Sequence, residues 1–96
     1  MTSTSSAGAL EAVERILNRG GEPDAVLRDV VRVLHERTGC WFAIGDIASG
    51  PTPHETQRHQ VLWEGAPVAE LTAAAEADPA LCARVALLVS PYCRKG

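Results

Sequence analysis

The hydrophobic period of the chain changes abruptly at Gly39, and this change does most to limit what it can fold into. Before it, Val26, Leu27, Val30, Val31, Val33 and Leu34 recur at helical spacing, while Arg28, Asp29, Arg32 and Glu36 fill the other side. After it, Cys40-Trp41-Phe42-Ala43-Ile44 is apolar on both faces, aromatic and branched, which suits a short buried strand. The helix has clear ends. Pro23 sits where a missing N–H costs nothing, and the acidic neighbours Glu22 and Asp24 suit the positive end of the helix dipole. Gly39 supplies the left-handed residue that stops it. A helix feeding directly into a buried strand requires a mixed architecture.

The remaining elements follow the same reasoning. Leu10, Val13, Ile16 and Leu17 mark a first amphipathic helix over 7–18, capped by Ser5 or Ser6 and stopped by Gly20-Gly21. Gly45-Asp46 ends the first strand or marks a bulge, and Ala48 to Thr56, with Gly50, Pro51 and Pro53, reads as a loop. Gln57 to Trp63 alternates as a second strand, with His59, Val61 and Trp63 on one face and Arg58, Gln60 and Leu62 on the other. Glu64-Gly65 makes a two-residue hairpin turn into a third strand, Pro67 to Leu71, and the alanines at 73–75 leave its end open. Asp78-Pro79 starts a last helix lined by Leu81, Cys82, Val85, Leu88, Val89 and Tyr92, which Pro91 ends or kinks. The expectation is an α+β domain: an antiparallel sheet of three strands or more, two N-terminal helices and one C-terminal helix. It occupies 7–93, between a disordered tail at 1–6 and a short tail at 94–96.

Charge and cysteine usage narrow the function class. A net charge of −3 with scattered basic residues does not form the cationic face that phosphate neutralisation needs, so nucleic acid is not expected as a partner. No apolar run approaches the roughly 18–20 residues that cross a bilayer, and the Ser/Thr-rich start lacks the features of a signal peptide. A cytoplasmic location and no membrane partner are the resulting expectations. Cys40, Cys82 and Cys93 are odd in number and show no C-x-x-C spacing, which favours free thiols over a disulfide framework.

The run Val26 to Ile44, a helix closing at Thr38-Gly39-Cys40 and passing into a strand, resembles the opening of a GAF domain. Val61-Leu62-Trp63-Glu64-Gly65-Ala66-Pro67-Val68-Ala69-Glu70-Leu71 looks like that family's central hairpin, and Asp78 to Val89 is similar to its closing helix. The resemblance implies a sensory or dimerisation module. The family's usual ligand lid is missing here, because only Ala48 to Thr56 occupies its interval, and so brief a loop cannot roof a pocket of several hundred Å³. The resemblance is thus to a minimal version, with no cofactor implied and no ligand motif to carry over.

Candidate residues are weighed on the same footing. Trp41 and Trp63 suit either stacking of a planar ligand or a shared core cluster, and His59 lies on the Trp63 face, so these three are the candidate ligand-binding residues. His54, Glu55 and His59 match no zinc signature and read as solvent-facing, as does His35. Leu10, Val13, Leu17, Val85, Leu88 and Tyr92, together with Leu81, exceed what a small sheet face buries. They are therefore expected to form a homodimer interface as a helical bundle across a two-fold axis. A small molecule or another protein is the further partner class. The alternative is a thiol-dependent redox enzyme or sensor of the GAF-like methionine sulfoxide reductase type, which needs an accessible thiolate of lowered pKa.

Overall fold

A computed structural model describes the backbone of residues 2–93 and the side chains of residues 8–93. The expected tail at 94–96 lies outside the described residues, whereas the first helix, expected over 7–18, already begins at Thr2 within the expected tail at 1–6, so Ser5 and Ser6 lie inside it and do not cap its start. The order of elements is α1 Thr2–Arg19, α2 Pro23–Thr38, β1 Phe42–Ile44, β2 Ile47–Ala48, β3 Thr56–Trp63, β4 Ala66–Ala74 and α3 Pro79–Cys93. The domain is α+β, with one antiparallel sheet of order β2-β1-β4-β3.

Local chemistry explains the boundaries. Pro23 opens α2, and Gly39, at φ 74°, closes it by donating its N–H to His35 O at 2.8 Å. The Thr38 hydroxyl donates to Leu34 O and accepts from the Cys40 N–H, so the helix end and the chain leaving it share one side chain. Gly45-Asp46 is a turn rather than a strand end or bulge. It joins β1 to β2 with Ile44 opposite Ile47, which makes a fourth strand. At the second hairpin Glu64 and Gly65 both have positive φ, 53° and 84°, as the type I′ turn requires.

Pairing between β3 and β4 slips between Val61 and Leu62, because Val61 faces Ala69 while Leu62 faces Pro67. Val68 is the extra residue of this bulge, and it packs against the core together with Ala69. β4 runs on to Ala74, so the alanines in question continue the strand. Pro67 is tolerated because β1 pairs with β4 only from Leu71 to Ala73, and at Pro67 the strand has one neighbour.

Pro91 does not end α3. The helix runs through it to Cys93, and the carbonyl that proline strands, Leu87 O, accepts the Ser90 hydroxyl at 2.9 Å. At the other end Asp78 Oδ1 accepts the Ala80 N–H at 3.0 Å.

All helices lie on one side of the sheet. Phe42, Ile44, Val61, Leu71 and Ala73 project into a core completed by Val26, Val30, Leu34, Leu81, Val85 and Val89. The opposite face shows Arg58, Gln60 and Glu70 to solvent. α2 covers β1 and β2, and α3 covers β3 and β4. α1 forms a third layer that packs on α2 and α3 and touches no strand among the described residues. The Tyr92 hydroxyl fastens it by donating to Leu17 O at 3.0 Å, in the last turn of α1 where carbonyls lack helical partners.

This third layer takes Val13, Val85 and Leu81 out of the expected helical-bundle interface. Val13 and Val85 are 0% exposed within the single chain, and Leu81 is buried too, so none of them offers surface to a second copy. Leu10, Leu17, Leu88 and Tyr92 are half-buried and pack against the same core. The sheet alone would leave these side chains uncovered. Stacking α1 on the other helices covers Val13 and Val85 fully and the four half-buried ones in part within one chain.

Candidate functional site

The structure places the three candidate ligand-binding residues apart. Trp41 lies just before β1, where its carbonyl accepts the Ala74 N–H, and its indole Nε1–H donates to Gly50 O at 2.8 Å. Trp63 pairs with Ala66 at the other end of β4. Eight residues of strand separate the two positions, about 25 Å at the usual rise. They form neither a stacking pair nor a shared core cluster, and both are half-buried. Trp41 instead anchors the start of the loop that follows β2, alongside the Ser49 hydroxyl, which accepts the Phe42 N–H at 3.1 Å.

His59 is engaged within the chain. Its Nε2 lies 2.8 Å from Gln57 Oε1. The Gln57 amide nitrogen meets the carbonyls of Ala74, Ala75 and Ala77 at 3.1, 3.3 and 2.9 Å. Those three acceptors fix which end of the amide is nitrogen, so the oxygen faces His59 and the imidazole Nε2 carries the proton. The pair clamps the β4–α3 corner to the start of β3. Among the described residues no three His, Cys, Asp or Glu side chains converge to hold a metal, and His54 stands exposed.

The thiols are placed unfavourably for redox chemistry. Cys82 and Cys93 are buried, and Cys40 is half-buried. Burial pushes the Cys82 thiol up to about 11, with the Asp78 charge adding to the effect, and burial raises Cys93 as well. A reactive thiolate needs the opposite shift. The helix start near Cys82 does not offset its desolvation.

The surface concentrates apolar side chains at one place. The large hydrophobic residues most exposed among those described are Leu62, at 48%, and Leu87, at 72%. Both line a groove of about 380 Å³ with His59, Gln60, Ala83 and Ala86. Leu62 comes from the solvent face of β3 and Leu87 from the outer side of α3. The groove therefore follows the outer edge of the sheet, where β3 has no neighbour. Periodicity had put Leu62 on the face opposite Val61, which is where it lies. Leu87 stands just outside the apolar stripe of α3, and only the packing of α3 under β3 brings the two leucines to one groove.

Two other hollows are shallower in chemical content. One of about 590 Å³ lies between α1 and α2, walled by Ile16 and Val33 and by Arg15 and Arg19. Arg19 is engaged there with Asp29 at 3.0 Å, as is Arg32. The other, of about 250 Å³, lies between α2 and β2 beside Arg28, Arg32, His35 and Glu36. The charges lining the first are both basic, and those lining the second are mixed.

No helix among the described residues is long and apolar enough to cross a membrane. Compared with known proteins, the chain matches no family model, no curated protein and no solved structure.

Proposed function

We propose that this chain is a non-catalytic interaction module of GAF-like type that works as a cytoplasmic homodimer. The observation that carries this reading is the placement of Leu62 and Leu87 in one groove beside an uncovered strand edge. Exposed leucines scattered singly need no explanation, whereas two flanking an open edge make a surface that gains by being covered. The GAF-like part of the reading is supported by three local features. They are the passage from α2 to β1 at Gly39, the hairpin at Glu64-Gly65 and the closing helix α3, which coincide with the segments that carry the resemblance.

Light scattering coupled to size exclusion over a dilution series tests the reading. The expected outcome is a mass that rises from one chain towards two as concentration enters the micromolar range. A strict monomer at several hundred micromolar, on the order of the weakest specific associations, overturns it.

A further inference from the structure

We infer that the seam of self-association is the outer edge of β3, which pairs antiparallel with β3 of a second copy in a register centred on Val61. The inference rests on the interaction-module reading and assigns it a surface.

β3 is the long open edge of the sheet. The opposite edge, β2, has two residues, while β3 has eight and contains no proline. Short length and proline, two of the devices that blunt an edge, are absent from β3, whose one charged residue is Arg58. Half of its backbone N–H and C=O groups point away from β4, since antiparallel pairing uses alternate residues on each side. Leu62 and Leu87 stand on the two sides of that edge, so an added strand would be flanked above and below by apolar surface.

Symmetry and charge select a second copy as the occupant, and they select the register. A two-fold contact needs a self-complementary patch, and a strand paired antiparallel with itself provides one. Centred on Val61, the pairing sets Gln60 opposite Leu62, and Arg58 falls beside Glu64 of the second copy, the turn residue just past the end of β3, twice over by symmetry. Arg58 and Glu64 form no ion pair within the chain among the described residues. A register centred on Arg58 would set two like charges face to face, and one centred on Gln60 would leave Arg58 opposite Leu62. Charge complementarity therefore favours Val61 as the centre.

Charge reversal in the full chain tests the assignment, with the dimer dissociation constant read by sedimentation velocity. Arg58→Glu and Glu64→Arg alone should each weaken the dimer about five- to tenfold, and the double variant should return it to within about twofold. Leu87→Glu should weaken it more than tenfold, and because Leu87 is exposed, an unchanged melting temperature should show that the fold is intact. A dimer insensitive to all of these but lost on Leu10→Lys overturns the β3 seam and leaves the module reading standing. A strict monomer at all concentrations overturns both, and capture of an extended peptide by that monomer would identify a different occupant of the edge.

Discussion

The imidazole of His59 donates from Nε2 to the amide oxygen of Gln57 at 2.8 Å, and this contact orients the amide nitrogen towards three carbonyls at the corner between β4 and α3. One side chain thereby adds a donor to three carbonyls where the chain leaves β4, alongside the Ala77 N–H that Ala74 O accepts. Gln57→Ala should destabilise the fold by about 1–3 kcal/mol, chiefly through the Ala77 carbonyl, since Ala74 O keeps the Ala77 N–H at 2.9 Å and Ala75 is exposed. Gln57→Glu, which sets a carboxylate against carbonyls, should cost at least as much. Urea denaturation checks both, and an unchanged midpoint for Gln57→Ala would show that water replaces the amide.

Ser90 and Pro91 form a second compensating pair. Proline removes the N–H that would reach Leu87 O, and the Ser90 hydroxyl takes its place. Ser90→Ala should cost about 0.5–1.5 kcal/mol. In a Pro91→Ala background the backbone N–H returns, and the same serine substitution should cost clearly less. Equal costs in the two backgrounds, measured as a double-mutant cycle, would show that the hydroxyl does not stand in for the missing bond.

The cysteines give the stability a defined pH dependence. Cys82 ionises near 9.0 when exposed and about 11 in the fold, so in that interval the unfolded chain has lost a proton that the native chain keeps. Its contribution is fully present below pH 9 and disappears as pH rises towards 11, a loss on the order of 2–3 kcal/mol. Cys93 acts in the same direction. Thermal unfolding from pH 8 to 11 should steepen in the wild type and flatten in Cys82→Ala. In iodoacetamide titrations of the native chain, Cys40 should react first, and a fast reaction at Cys82 below pH 8 would revive the redox alternative.

Glu64 holds a left-handed backbone at φ 53° in a turn that favours asparagine followed by glycine. Glu64→Asn should raise stability by about 0.5–1 kcal/mol, read from the shift in melting temperature. By contrast, any β-branched residue there should lower it.

Much of the fold is legible in the residues because the signals are local. Pro23 and Gly39 bracket α2 where expected, Glu64-Gly65 makes its turn, and β3 shows the anticipated alternation, with Val61 buried and Arg58, Gln60 and Leu62 exposed. β2 escapes notice because two residues cannot show a period, although Gly45-Asp46 between Ile44 and Ile47 is itself a hairpin signal. The bulge at Val68 is equally silent, since it depends on which residue of β3 each residue of β4 meets. The dimer expectation for Val13 and Val85 failed on a three-dimensional point. Counting apolar residues cannot reveal that α1 stacks on other helices and needs no sheet.

The candidate groove shows the same limit. Leu62 is readable from strand alternation, whereas Leu87 gains meaning from the position of α3 beneath an edge strand. Gln57 carries no motif at all. Its importance comes from three alanine carbonyls at a corner, and no spacing rule predicts those.

The outer position of α1 sets an order for the loss of structure. Because among the described residues it rests on α2 and α3 alone, its release breaks the Tyr92–Leu17 bond and the Arg19–Asp29 contact while every rung of the sheet stays closed. Amide protons of α1 should thus exchange with deuterium through a partial opening of lower free energy. Those of β1 and β4 should wait for the whole domain to come apart.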